Sequence, residues 1–146
     1  MKAASARGWI LRNLCVAGVL VGSITVSTCP SATEVKIALS GEQEVPPVET
    51  AASGTGALVI GTDRSVAGSI AIQGVVATAV HIEEDAPGKR GGVVIPLIKG
   101  SGDRWVVPAR AKLTDAQAAS LVAGNLYVNV RSDAHRNGEL RGQVKF

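Results

Sequence analysis

From residue 34 onward, apolar and polar side chains alternate in short stretches separated by glycine, proline and polar turns. In EVKIALS, residues 34–40, Val35, Ile37 and Leu39 fall on one side and Glu34, Lys36 and Ala38 on the other, the period-2 pattern of a half-buried strand. Residues 41–50 (GEQEVPPVET) are acidic and carry Pro46-Pro47, which makes them a loop or an extended piece covering an edge. Ser53-Gly54-Thr55-Gly56 lead into a strand at 57–60, residues 61–64 turn, and 66–72 return as the second arm of a hairpin. Gly74 breaks the pattern before another short strand at 77–83 (ATAVHIE).

Residues 84–92 (EDAPGKRGG) form a long charged loop. The apolar run 93–98 contains Pro96, which argues against a central place in a ladder. A turn at 100–104, a short extended piece at 105–107 and Pro108 precede the one helix. There Thr114 and Gln117 make a capping box, Leu113 stands before the cap, and Gly124 ends the helix. At about ten residues it must pack on something larger. In 126–144 (LYVNVRSDAHRNGELRGQV), Leu126, Val128 and Val130 alternate with Tyr127, Asn129 and Arg131. A polar run with an Asn137-Gly138 turn follows, and Leu140, Arg141 and Val144 resume an extended segment. Many short strands and one short helix predict an all-β fold, a β-sandwich or partly closed barrel of seven or eight strands.

The first 33 residues follow a different pattern. Lys2, Arg7 and Arg12 precede an apolar run at 14–26 and a small polar stretch at 27–33, the layout of a secretory signal peptide. The run is short for a membrane span, which needs roughly 20 apolar residues. The chain is therefore read as a leader, 1–33, and one domain, 34–146, in an exported protein of the periplasm or the cell exterior. Cys29 ends a weak lipoprotein-like box, with an outer-membrane lipid anchor as the minor alternative, and Thr28 fits that box poorly.

Setting the leader aside changes the charge. It takes three of the 15 Lys and Arg and none of the 12 acids, so the domain is near neutral and loses the global argument for nucleic acid. Cys15 and Cys29 both fall in the leader, leaving no disulfide in the domain. Trp105, Tyr127 and Phe146 are too few and scattered for a ligand platform and read as packing.

Candidate chemistry is sparse. His81 and Glu83 stand at i and i+2 on one strand face, and His135, with Asp133 two residues before it, lies in the last polar loop. His81, Glu83 and His135 are chemically suited to copper or zinc but form no compact ligand motif. No G-x-S-x-G elbow and no phosphate-binding loop occurs. Glu83-Glu84-Asp85 is expected to be a solvated acidic run, with calcium, which needs several converging oxygens, as a minor alternative. Glu139 and Arg141, two apart on the final strand and near Arg131, are expected to form a charge pair or network that ties that strand down. Asn129 is expected to tie a neighbouring loop to its strand, and Gly138 and Gly142 to mark close approaches or a bulge.

These pieces resemble the CHRD domain, found in chordin and singly in bacterial secreted proteins. The resemblance rests on three blocks: Leu39 to Gly56 around Gln43-Glu44-Val45-Pro46-Pro47; Ala79 to Gly92 around His81-Ile82-Glu83; and Trp105 to Gln143 with Leu126 to Val130 and Gly138 to Gln143. It implies a secreted β-rich domain of Greek-key-like character, similar in outline to copper/zinc superoxide dismutase. Many members read H-I-H in the second block and N-V-H-T in the third, which would furnish a metal site. This chain has Glu83 and Arg131 where those histidines are usual, and Arg136 where proline is usual. A guanidinium opposes a cation and offers no lone pair, so Arg131 is expected to pair with Glu83 instead. The leading expectation is a non-enzymatic exported domain that binds a protein or another extracellular ligand. A copper- or zinc-binding protein is the alternative, and a metal-dependent redox enzyme stands behind it.

Overall fold

The computed structural model describes residues 31–146. The leader up to position 30, with Cys15 and Cys29, lies outside them. Val35, Ile37 and Leu39 turn inward and their polar neighbours outward along β1 (Ala32–Leu39), which takes in two residues expected to belong to the leader. β1 pairs antiparallel with β2 (Ser53–Gly61), and β2 with β3 (Val66–Gln73). The chain then crosses to a second sheet with β4 (Ala77–Glu84) and β5 (Gly92–Pro96).

β6 (Ile98–Lys99) and β7 (Arg104–Val106) return to the first sheet, and the helix α1 (Asp115–Val122) leads back to β8 (Leu126–Ser132) and β9 (Leu140–Gln143). The two sheets have the orders β1-β2-β3-β7-β6 and β5-β4-β8-β9, a sandwich with crossed connections. Among the described residues nine strands result rather than seven or eight, because the apolar run 93–98 divides. Leu97 N–H still bonds Val80 O in the second sheet at 2.9 Å, whereas Ile98 already pairs with Val106 in the first. Pro96, lacking an N–H, sits on the edge strand β5, as its chemistry requires.

Between the sheets lies a continuous apolar core that includes Ile37, Leu58, Ile70, Ile72, Val80, Ile82, Val128 and Leu140. Fully burying each such side chain contributes about 1.5–3 kcal/mol. At the open edge, Ser40 and Arg141 exchange backbone hydrogen bonds at 3.1 Å and partly close the barrel between β1 and β9. Gly142 permits that approach, because a Cβ there would meet Ala38 O at 2.6 Å. Thr114 Oγ1 accepts from Gln117 N–H and Gln117 Oε1 from Thr114 N–H, so the capping box is complete. Leu121 buries the helix against the core.

Candidate functional site

In β8 the residues Leu126, Val128 and Val130 face the core, and pleat alternation sends Tyr127, Asn129 and Arg131 to the opposite face of the second sheet. On the neighbouring strands the same alternation brings His81, Glu83 and Arg141 to that face. In register, His81 lies opposite Asn129, Asn129 opposite Arg141, and Glu83 opposite Tyr127. A solvated polar face would be the simple outcome. Instead Glu83 is 3% exposed, and Tyr127, Asn129 and Arg141 are each 1% exposed.

Three loops cover the face and are bonded to it. From 85–91, Gly91 N–H donates to Tyr127 Oη at 2.9 Å, and the carbonyls of Lys89 and Ala86 accept from Arg141 at 2.5 and 3.4 Å. The Arg141 guanidinium stacks 3.5 Å from the centre of the Tyr127 ring and also donates to Gln143 Oε1 at 3.1 Å. From 41–50, Glu44 is buried, its Oε2 accepting from Asn129 Nδ2 at 2.7 Å and its Oε1 from Val45 N–H at 3.0 Å. The third loop follows β8, where Glu139 accepts from Ser132 Oγ at 2.5 Å and from Thr50 Oγ1 at 2.7 Å. The charge pair expected between Glu139 and Arg141 does not form. Glu139 precedes β9 and turns to two hydroxyls, while Arg141 is held over Tyr127 by loop carbonyls.

Glu83 is the centre of the face. Its Oε1 accepts from Arg131 Nη2 at 2.7 Å and its Oε2 from Tyr127 Oη at 2.8 Å, and His81 Nδ1 lies 3.7 Å from Oε1. The expected solvated run 83–85 is thus corrected. Glu83 is buried, Glu84 accepts from Ser120 Oγ on the helix at 2.5 Å, and Asp85 accepts from Ala86 N–H at 2.7 Å. Burial lowers the His81 pKa from its usual 6.5, the Arg131 guanidinium adds to that, and Glu83 opposes both. Burial also pushes the Tyr127 phenol up to about 12, against the Gly91 N–H and with help from Glu83.

Of the three residues read as metal ligands, His81 and Glu83 stand together and His135 stands elsewhere. It lines an open cleft of about 230 Å³ bounded by Glu44, Val45, Pro46, Arg90 and Arg136. Among the described residues no group of three or more His, Cys, Asp or Glu side chains is placed to hold a metal. The donor set does not suit copper or zinc as it stands. Both Glu83 oxygens serve protein donors, and one of these is a guanidinium whose charge repels a cation.

The family model for the CHRD domain matches residues 35–144, nearly all of the described chain. The chain belongs to the CHRD domain family. Its Gln43 to Pro47 block and its Gly138 to Gln143 block meet in space through Glu44, Asn129 and Gly138. No curated protein and no solved structure matches the chain. Glu44, Arg90 and the hub role of Tyr127 escaped the sequence reading. Glu44 sits in an acidic, proline-containing loop that looks solvated, and its partner Asn129 is 85 positions away. Only the resemblance, which includes Glu44 in a matched block, carried a signal.

Proposed function

We propose that this CHRD domain is a non-enzymatic module, exported to the periplasm or the cell exterior, that binds a protein or another extracellular ligand. The observation that carries the reading is how the ionisable groups on and over the polar face of the second sheet, His81 apart, are used. Glu83, Arg131, Tyr127, Arg141 and Glu44 all serve one another or the backbone of the loops above them. A catalytic acid, base or nucleophile needs a proton or lone pair aimed at a substrate, and these are aimed at the protein. Above them lies loop surface fixed on a rigid sheet, the usual construction of a recognition surface. The leader-like pattern of residues 1–33 supports export.

A photo-crosslinking residue introduced at Asn137, on the loop side, and at Thr55, on the outer face of the first sheet, tests this in intact cells. A discrete adduct from position 137 only, recovered in the envelope or the medium, is expected. Retention in the cytoplasm, no adduct from 137, or the same adducts from both positions would sink the reading.

One observation favours copper or zinc binding as a second reading. His81 Nδ1 is buried without a hydrogen-bond partner beside the Glu83 carboxylate. It requires Glu83 to leave Arg131, and His135 to come from the cleft.

A further inference from the structure

The cleft holding His135 has an unusual balance of groups. One wall is apolar, made by Val45, Pro46 and Val48, and the other is the polar turn 134–138. Arg90 reaches across from the 85–91 loop, and its Nη2 donates to Asn137 O at 2.5 Å. That engages one of five guanidinium N–H groups. Arg136, exposed on the other wall, has no hydrogen-bond or carboxylate partner among the described residues, and Arg90 has no carboxylate partner among them. Elsewhere on the surface Arg64 pairs with Asp115 and Lys112 with Asp63, while Lys36, Arg110 and Lys145 also have no carboxylate partner among the described residues; what sets Arg90 and Arg136 apart is that both line one cleft. Glu44 does not neutralise the two arginines directly, since its oxygens accept from Asn129 and Val45 N–H.

Resting on the binding reading above, we infer that this cleft takes a carboxylate carried on a short apolar stem, with Arg90 and Arg136 as its anion clamp. Guanidinium forks match the planar carboxylate in pairs of parallel hydrogen bonds. The Val45-Pro46-Val48 wall receives the stem. Glu44 in the inner wall disfavours a second negative charge, which selects a carboxylate over a phosphate dianion. The volume, about 230 Å³, is below the roughly 300–1,000 Å³ of pockets for drug-sized ligands and suits one side chain or one small acid. The carboxylate comes either from an acidic protein segment or from a free organic acid.

Amide NMR titrations of the purified protein decide between these. The probes are a short peptide with a central glutamate, the small monocarboxylic acid butyrate, inorganic phosphate and a lysine-containing control peptide. Butyrate or the acidic peptide is expected to shift the amides of Glu44, Val45, Val48 and Arg90 and those at 134–138. Affinity should fall at least about tenfold in Arg90→Ala/Arg136→Ala and hold in Lys36→Ala. Arg136→Ala alone, which removes no hydrogen bond within the described residues, must also weaken binding while leaving the remaining spectrum in place. A much tighter peptide identifies a protein segment, and equal affinities identify a free acid. Millimolar probes without effect, unchanged affinity in the arginine variants, or phosphate binding as tightly as butyrate would overturn the inference. A macromolecular partner that shifts amides only on another face would remove the cleft and leave the binding reading intact.

Discussion

Glu83 offers two oxygens to three neighbours, and their geometry decides what it does. Arg131 and Tyr127 hold hydrogen bonds at 2.7 and 2.8 Å, and His81 is left at 3.7 Å. Removing the carboxylate strands a buried hydroxyl and a guanidinium. Breaking a buried pair costs about 3–5 kcal/mol, and water reaching the one-third-exposed Arg131 lowers that, so Glu83→Ala is expected to lose about 2–3 kcal/mol. Tyr127→Phe, which also leaves Gly91 N–H unpaired, is expected to lose about 1–2 kcal/mol. Urea denaturation measures both, and a cost below roughly 0.5 kcal/mol for Glu83→Ala would show that the hub holds nothing.

His81 supplies a pH signature. Its pKa is lowered on folding from 6.5, so the unfolded chain takes up the proton first. Stability from this group is complete above about 6.5 and declines as pH falls from there to the folded pKa. The His81 imidazole should titrate below 6.5 by NMR. The denaturation midpoint should fall more between pH 7 and pH 5 in the native sequence than in His81→Gln. Equal pH slopes in the two proteins would contradict the assignment.

At the scale of elements, the strands were legible wherever one face met the core. The alternation in β1 and β8 and the Thr114–Gln117 box on α1 announced themselves within a few residues. The same alternation misled about the other face of β8. Period 2 says that Tyr127, Asn129 and Arg131 share a side, but it cannot say that loops from 41–50 and 85–91 lie over them. That depends on contacts such as Glu44 to Asn129, which no local pattern encodes. The division of 93–98 into β5 and β6 was hidden for a related reason, since the run is uniformly apolar on either side of the crossing at Leu97.

Gly138 is where two of these elements meet. Its φ is +137°, and a Cβ there would lie 2.6 Å from Asn129 Nδ2 and clash with Glu44 Oε2. Gly138→Ala is therefore expected to cost about 2 kcal/mol or more and to free the 41–50 loop. Hydrogen exchange should show lost protection of Val48 N–H, which bonds Gly41 O, ahead of the strands. Unchanged protection there would mean that the Glu44–Asn129 tie does not hold the loop.

For the whole molecule, composition and pattern were enough to read an all-β sandwich with one helix, and the three matched blocks were enough to read the family. The candidate site was only half legible. His81 and Glu83 share a face by simple alternation, but His135 lies in a cleft formed by loops from distant parts of the chain. The polar face of the second sheet is a scaffold that fixes the loops above it. Calorimetric titration of the purified protein with copper(II) and zinc shows whether Glu83 is held in that scaffold or free to take a metal. No saturable binding is expected at micromolar metal, because Glu83 remains with Arg131 and Tyr127. One equivalent bound at micromolar affinity, and lost in both His81→Ala and Glu83→Ala, would contradict it.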